Sequence, residues 1–320
     1  MHTPEIHIAK LYLENEDVVA IPTETVYGLA ANIFSKKAVE KIYQLKNRPR
    51  TSPLIVHVDS IAQCEQFVTT IPMPIITLME HFWPGPLTVL LPKNNRIPEW
   101  ITGESPFVGI RMPNHPLTLD LIHQCGFPLA APSANPFSKI SPTTAQMVEY
   151  YFKEDDVFVL DGGPCSSGLE STIVGFEDGQ VKIYRLGALS LESITAIVGD
   201  VIYEGKPDKV FFTPGRHPKH YAPNTPVYLT ENIQKTLDTF HSYTNQKIAV
   251  IAYSALNSIP NHCTLFPWER HEDWRNVAQK LYATLFEIDQ MQFDCMIIEK
   301  FPEKGLGKTI NDRLTRAAIH

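Results

Sequence analysis

The chain has 320 residues, which is long enough for two domains that each bury a hydrophobic core. A hydrophobic content of 43% and a charged content of 20% are ordinary for a globular protein. No apolar run is long enough to suggest a membrane span. The formal net charge of -7 argues against a protein that coats nucleic acid nonspecifically, because neutralising phosphates needs a basic face. A local basic pocket is still compatible with this charge.

The cysteines and the amino-terminal stretch indicate a compartment. The five cysteines are widely spread and none forms a Cys-x-x-Cys pair, which predicts neither a disulfide framework nor a zinc cage. The first residues contain no apolar segment flanked by positive charge, so no signal peptide is expected. We therefore expect a cytoplasmic protein.

Strand-like and helix-like stretches alternate through the first two hundred residues, which predicts an α/β fold. A β-rich run at 18–21 ends at Pro22, and a helix capped by Ser35 must end before Pro49. The Asp178-Gly179 pair predicts a hairpin between strands at 171–176 and 181–185. The mixture favours a sheet with both parallel and antiparallel pairs. Further strands are predicted at 53–58, 87–91, 107–111, 129–135 and 157–160, and further helices at 60–68, 74–82, 116–125, 141–152 and 190–198.

The composition of the sequence changes between residues 205 and 226, which are rich in proline and basic residues and lack periodicity. Strands are predicted after this segment at 227–229, 247–253 and 295–299, with helices at 274–286 and 310–318. We therefore predict a first domain over 1–204, an ordered extended linker over 205–226, and a smaller α/β (Rossmann-like) domain over 227–320.

Several parts of the sequence resemble known binding motifs but do not match them fully. The run Gly305-Leu306-Gly307-Lys308-Thr309 resembles the end of a P-loop, but Pro302 stands where that motif needs its first glycine. No G-x-G-x-x-G follows the first strand, which disfavours a dinucleotide site in the first domain. His217 and His220 have no carboxylate or thiol at ligand spacing, so no metal site is predicted.

Polar residues at strand ends are the more promising feature. Thr23, Thr25 and Tyr27 follow the first strand, and Lys46 and Arg48 follow the next helix. Taken alone, such cations are more often structural, because they stabilise the end of the helix dipole. The same sheet edge, where α/β proteins bind ligands, is also expected to carry Ser52, His57, Arg111, Ser133, Asn135, Ser141, Ser171 and Arg185. Three guanidinium groups and several hydroxyls could hold a triphosphate and a carboxylate at once.

These residues lie in segments that closely resemble a known domain type. The segments PTETVYGLAAN, YQLKNRP, PLIVHV, FWPGPLTVLL, VGIRMPNHP, PLAAPSAN, SPTTA and ESTIV resemble the YrdC-type domain. The later segments RHPKHYAP and GLGKTINDRLTRAA make the chain similar to the long, two-domain form of the threonylcarbamoyl-AMP synthase family. The pairs Lys46 with Arg48 and Ser133 with Asn135 occur in the order that the family shows.

The resemblance implies a fold and a reaction. The fold would be a YrdC-like twisted mixed sheet with helices, followed by the smaller domain. The reaction would convert L-threonine, bicarbonate and ATP into threonylcarbamoyl-AMP and pyrophosphate. Mg²⁺ would accompany ATP without dedicated protein ligands. Downstream proteins would transfer the threonylcarbamoyl group to tRNA, and neither membrane attachment nor stable nucleic-acid binding is implied.

The resemblance also implies roles for individual residues. Lys46, Arg48 and Arg111 would be catalytic. The linker would cover the pocket, with His220 and Tyr221 as its contacts, and Ser52 departs from the asparagine of some members. Threonine or its carbamoyl form would contact Thr25, His57, Arg111, Ala131 and Ser171. ATP would contact Lys46, Arg48, Ser52, Ser133, Asn135, Ser141, Arg185 and Tyr221.

Two other functions are compatible with parts of the sequence. One is an RNA-binding module that holds double-stranded RNA or tRNA in a basic concavity, although the acidic net charge speaks against it. The other is a carbamoyl-phosphate-linked transferase of the kind that embeds a YrdC-type domain. This chain lacks the cysteine-rich zinc segments and the extra domain of such proteins.

Overall fold

The computed structural model describes residues 4–203, 221–240, 245–269 and 274–318. These residues form two compact units. The first contains the described residues up to Phe137 and from Ser141 to residue 203, and the second contains Ser138–Ile140 and the described residues from 221 onward. Most of the predicted linker at 205–226 lies outside the described residues, so the boundaries at 204 and 226 stay predictions.

The first unit is an α/β structure. Its helices are α1 (Pro4–Glu14), α2 (Lys36–Lys46), α3 (Ile61–Glu65), α4 (Met73–Phe82), α5 (Glu99–Thr102), α6 (Pro116–Cys125), α7 (Ala145–Tyr151) and α8 (Leu191–Val198). Its strands are β1 (Val19–Ile21), β2 (Gly28–Asn32), β3 (Ile55–His57), β4 (Leu87–Pro92), β5 (Phe107–Arg111), β6 (Leu129–Ala130), β7 (Phe158–Val159), β8 (Thr172–Glu177), β9 (Gln180–Arg185) and β10 (Val201–Ile202).

These strands form one sheet in the order β10-β9-β8-β4-β5-β3-β6-β2-β1-β7. Strands β3 and β5 are parallel, as are β4 and β8, whereas β4 and β5 are antiparallel, as are β8 and β9. The predicted mixed sheet is therefore confirmed. The register of β3 and β5 places His57 opposite Arg111 at the ends of both strands.

Helix α2 forms where the sequence predicts it. The Ser35 hydroxyl caps the helix by accepting a hydrogen bond from the Ala38 N–H at 3.2 Å. Ala38 and Ile42 are fully buried, so one face of the helix packs on the core. Asn47, in the left-handed region at φ 49°, ends the helix before Pro49.

The prediction of a helix that opens at Ser141 is wrong. Helix α7 begins at Ala145, where the Thr144 hydroxyl accepts from the Met147 N–H at 3.4 Å. The Pro142 and Thr143 carbonyls instead accept the backbone N–H groups of Tyr27 (2.8 Å) and Cys165 (2.9 Å). These tertiary partners keep the start of this segment out of the helix.

Strand β2 was not predicted from the sequence. Its residues Gly28-Leu29-Ala30-Ala31-Asn32 have little intrinsic preference for strands. They form one because β1 and β6 pair with them on either side, both antiparallel. Tertiary pairing therefore overrides local propensity here.

The elements of the second unit are β11 (Val227–Thr230), α9 (Ile233–Phe240), β12 (Ile248–Ala252), β13 (Cys263–Pro267), α10 (Arg275–Gln290), β14 (Cys295–Glu299) and α11 (Leu306–Ala317). Its described strands form a parallel sheet in the order β11-β14-β12-β13, which agrees with the predicted Rossmann-like α/β domain. Helix α9 and strand β13 were not predicted.

The P-loop-like run starts α11 and has a packing role. A Cβ on Gly307 would lie 2.2 Å from the Pro302 carbonyl oxygen, so the helix approaches that backbone too closely for any side chain. The Asn311 side chain accepts from the Phe301 N–H (2.9 Å) and donates to the Phe301 carbonyl (2.7 Å). These bonds fix the turn between β14 and α11.

Within the described part of the chain, no helix combines the length and apolar character needed to cross a bilayer.

Candidate active site

Three of the predicted threonine contacts lie at adjoining strand ends in the first unit. His57 ends β3 and Arg111 ends β5, and the two residues are register partners. Ala131 directly follows β6, which pairs with β3, and its N–H donates to the Ile55 carbonyl at 3.0 Å. All three residues are buried. The sheet topology therefore brings together residues that lie far apart in the sequence.

The Arg111 guanidinium is held on three sides. Its Nη1 donates to the Thr25 hydroxyl at 2.8 Å, and its Nε donates to the Gly85 carbonyl at 3.2 Å. Its Nη2 lies 2.7 Å from Oε2 of Glu24, an acid that the sequence analysis did not select. Arg111 and Glu24 each have 5% of their side chain exposed, so this is a buried ion pair. Glu24 is therefore an internal counterion for Arg111, a predicted threonine contact.

His57 is a neutral group beside this pair. Burial, reinforced by the positive charge of Arg111, lowers the pKa of His57 to about 3. Its Nδ1 atom is buried and has no hydrogen-bond partner among the described residues. His57 can therefore offer a neutral ring nitrogen to a ligand at ordinary pH.

The hydroxyls after β1 are ordered by a local turn. The Thr23 hydroxyl accepts from the N–H groups of Thr25 (3.1 Å) and Val26 (3.2 Å) and donates to the Val26 carbonyl (2.7 Å). The hydroxyls of Thr23 and Thr25 are 2.8 Å apart. This network aims Thr25 at Arg111.

Lys46 uses two of its donors within the protein. Its Nζ donates to the carbonyl oxygens of Ser133 and Asn135, both at 2.5 Å, and the side chain is 1% exposed. Burial, followed by the nearby charge of Arg48, lowers the pKa of Lys46 well below its ordinary value. Lys46 therefore joins the end of α2 to the loop that carries Ser133 and Asn135.

Arg48 follows the left-handed Asn47 and is 8% exposed. Its Nη2 donates to the Pro53 carbonyl at 3.0 Å, and its guanidinium carbon lies 5.9 Å from the centre of the Phe137 ring. Ser52 is half-buried, and its carbonyl accepts from the Tyr43 hydroxyl at 3.0 Å.

A further cluster of polar residues surrounds Ser171, which directly precedes β8. The Ser171 hydroxyl lies 2.7 Å from that of Thr88 and accepts from Nη2 of Arg185 at 3.1 Å. Nε and Nη2 of Arg185 also donate to the Ser171 carbonyl, at 3.2 and 2.8 Å. The Ser141 hydroxyl donates to Glu170 at 2.8 Å.

Backbone contacts connect the clusters. A β-bridge between Gly28 and Ser133 links the segment after Thr25 to the loop that Lys46 holds. The Gly85 carbonyl binds Arg111, and the next carbonyl, that of Pro86, accepts from the Thr172 N–H at 2.9 Å. The predicted first-unit residues therefore lie on a set of directly bonded segments.

Tyr221, a predicted ATP contact, belongs to the second unit. It is 1% exposed, and its ring centre lies 5.7 Å from the ring centre of Tyr282. The guanidinium carbon of Arg313 lies 5.0 Å from the centre of the Tyr221 ring. Its predicted ATP contact stays a prediction. His220 lies outside the described residues.

Sequence reasoning missed the two buried acids, Glu24 and Glu170. Both lie inside recognised segments, PTETVYG and ESTIV, but only hydroxyls and cations were selected there. The partner of Glu24 lies on β5, far along the chain, so no local pattern could reveal the pair.

The arrangement suits the binding and orienting of charged ligands. Guanidinium groups, hydroxyls and a neutral imidazole are held in place by the protein before any ligand arrives. The thiol of Cys165 is a poor nucleophile, because burial, followed by the charge of Glu24, raises its pKa to about 12.

Comparisons with known proteins match almost the whole chain. The Sua5/YciO/YrdC family model, described as telomere recombination, matches residues 11–187. The model described as threonylcarbamoyl-AMP synthase, C-terminal domain, matches residues 189–319. The chain is 37% identical to the threonylcarbamoyl-AMP synthase of Bacillus subtilis over 323 residues, covering 98% of this chain and 93% of the relative.

An archaeal relative gives the structural counterpart. The threonylcarbamoyl-AMP synthase of Pyrococcus abyssi is 34% identical over 327 residues, which cover 98% of this chain and 94% of the relative. The crystal structure of P. abyssi Sua5 complexed with L-threonine matches with a TM-score of 0.90 and 33% identity, covering 100% of this chain and 98% of that one. The chain belongs to the threonylcarbamoyl-AMP synthase family.

Proposed function

We propose that the chain makes L-threonylcarbamoyl-AMP and pyrophosphate from L-threonine, bicarbonate and ATP. The observation that carries this proposal is the buried cluster of Thr25, His57 and Arg111 in a chain whose full length resembles a threonine-bound synthase. The resemblance over both units supports this function over an RNA-binding module.

The chemistry needs positioning more than a nucleophile. The threonine amine and bicarbonate condense to a carbamate with loss of water. A carbamate oxygen then attacks the α-phosphorus of ATP, and the bond to the pyrophosphate leaving group breaks. Such phosphoryl chemistry depends on alignment and on neutralising charge. A fixed guanidinium contributes most when it meets the charge in a dry site.

The first unit divides these tasks between its clusters. Arg111 would bind the threonine carboxylate, with Thr25, His57, Ala131 and Ser171 around the amino acid. Arg48 and Arg185 would bind ATP, together with Ser52, Ser133, Asn135 and Ser141, with Tyr221 as a further contact. Because Lys46 donates to the Ser133 and Asn135 carbonyls, it would act mainly by positioning their loop.

Mg²⁺ would arrive as the complex with ATP. The described residues contain no group of three or more potential metal-ligating side chains. The site acids Glu24 and Glu170 already bind Arg111 and Ser141. This donor set fits an ion held by phosphate oxygens and water, which Mg²⁺ accepts readily. The ion would neutralise phosphate charge, and no residue of the chain is assigned as its ligand.

We also propose that the product passes to proteins that modify tRNA and that the reaction takes place in the cytoplasm. All five cysteines are free thiols, which is typical of a reducing compartment.

Release of pyrophosphate from ATP tests the proposed function. The purified chain is incubated with ATP and Mg²⁺, and threonine and bicarbonate are omitted in turn. We expect release that requires both compounds. Release that continues without threonine, or no release with every substrate present, would contradict the proposal.

A further inference from the structure

Glu24 is a buried acid whose pairing with Arg111 uses only one of its two carboxylate oxygens. Its Oε2 atom binds Nη2 of Arg111 at 2.7 Å and accepts the Asn114 N–H at 3.0 Å. Its Oε1 atom is buried and has no hydrogen-bond partner among the described residues. A buried carboxylate oxygen without a partner is costly, so its presence calls for an explanation.

The titratable groups that interact with Arg111 or Glu24 add no charge to this pair at neutral pH. Burial lowers the pKa of His115, an effect that the hydrogen bond to Gly162 and the charge of Glu24 only partly offset. His57 is neutral because burial, followed by the charge of Arg111, lowers its pKa. Cys165 keeps its proton because burial, followed by the charge of Glu24, raises the pKa of the thiol. The cluster around Arg111 therefore contains one fixed positive group and one fixed negative group.

Such a pair is complementary to a ligand that itself carries both charges. Arg111 also binds Thr25, so Glu24, Arg111 and Thr25 form one continuous cluster. In an α-amino acid the carboxylate and the amine are attached to the same carbon. A ligand whose carboxylate is held by Arg111 therefore has its amine within a short distance of the adjoining carboxylate.

We propose that Oε1 of Glu24 accepts a hydrogen bond from the α-amino group of the amino-acid substrate and thereby selects amino acids over carboxylic acids that lack the amine. This inference rests on the proposed function and adds a residue that sets its substrate class. After carbamate formation the nitrogen keeps one N–H, so the same contact persists. Without an amine, a bound acid leaves Oε1 buried and unpaired, which a polar site penalises strongly.

Calorimetric titration of the full chain tests the inference. The ligands are L-threonine and (R)-3-hydroxybutanoate, which is threonine without its amine, each with and without ATP and without bicarbonate. The wild type should bind threonine about tenfold to a hundredfold more tightly than the analogue. Glu24→Gln should lose most of this preference, because threonine binds more weakly while the analogue does not.

Asp161→Asn is the matched control. It removes an acid from the same unit, but Asp161 accepts hydrogen bonds from Tyr27 and Gly163 and does not pair with Arg111. It should keep the wild-type preference. A Glu24→Gln protein that also keeps the wild-type preference would overturn the inference while leaving the proposed function intact. A wild type that binds no threonine under either condition would overturn both.

A second variant keeps the test decisive if Glu24→Gln does not fold. Glu24→Asp retains the charge but withdraws it by one methylene. It should weaken threonine binding more than analogue binding. Equal weakening of the two ligands would show that the acid only supports Arg111 and would overturn the inference.

Discussion

The arginines of the candidate site use several of their N–H groups on the protein itself. Arg48 donates to the Pro53 carbonyl, Arg185 donates to the carbonyl and hydroxyl of Ser171, and Arg111 binds Thr25 and Gly85. These bonds fix each guanidinium before a ligand binds. A ligand then pays less entropy to meet them, which favours both affinity and alignment.

Replacing two arginines should separate the two substrates. Arg48→Ala should raise the KM for ATP and Arg111→Ala the KM for threonine, each by about tenfold to a hundredfold, because each loses a charge-assisted contact. Steady-state kinetics with each substrate varied checks this. Arg96→Ala is the control, since Arg96 is exposed and lies over Phe67. Small and equal effects of both changes on both KM values would argue against the assignment.

His57 predicts a dependence of stability on pH. Its pKa is about 3 in the folded chain against 6.5 for the free side chain, so the unfolded chain binds more protons between these values. Below pH 6.5, protonation of His57 in the unfolded chain lowers the free energy of unfolding by about 1.4 kcal/mol per pH unit. Above pH 6.5 this penalty is absent, because the side chain is neutral in both states. Urea unfolding at pH 7, 6 and 5 should show that the free energy of unfolding falls less with pH in His57→Gln than in the wild type. Parallel pH curves for the two proteins would refute this role.

Helix α2 shows which properties of an element are local. Its start at Ser35 and its end before Pro49 follow from neighbouring residues, and both were predicted. The hydrogen-bond partners of the Lys46 side chain were not predicted, because the Ser133 and Asn135 carbonyls lie almost ninety residues further along the sequence. In return, the Phe137 N–H donates to the Lys46 carbonyl at 2.6 Å. The helix end and the loop are therefore bonded in both directions.

Removing the Lys46 ammonium should loosen that loop. Lys46→Met leaves two carbonyls without this donor and should cost about 1–3 kcal/mol in the free energy of unfolding. Hydrogen exchange should accelerate in peptides covering residues 132–137. Lys41→Met, on the same helix, removes a partly exposed contact with Asp17 and should change stability by less than about 1 kcal/mol. Unchanged exchange in the Lys46 variant would contradict this role.

In other elements, too, some features follow from neighbouring residues and others depend on distant segments. The hairpin at Asp178-Gly179 forms as predicted, with φ values of 51° and 80° that suit these residue types. Strand β2 and the non-helical start of the segment at Ser141 depend on partners elsewhere in the chain. Turn chemistry could therefore be predicted from the sequence, whereas pairing between distant segments could not.

The molecule as a whole consists of two α/β units with different sheets, one mixed and one parallel. The mixed first sheet and the smaller second domain were predicted from the alternation of elements and from the family resemblance. The same resemblance named Arg111, His57 and Thr25, which the structure brings together. It did not name Glu24, because a buried ion pair between distant segments has no local pattern.

We expect this one chain to join threonine, bicarbonate and the adenylate of ATP. Radiolabelled bicarbonate, supplied with threonine, ATP and Mg²⁺, tests it most directly through chromatography of the nucleotide products. We predict a labelled adenylate that forms only with threonine present and in proportion to the pyrophosphate released. Pyrophosphate release without label in any nucleotide, or labelling that does not need threonine, would contradict the account.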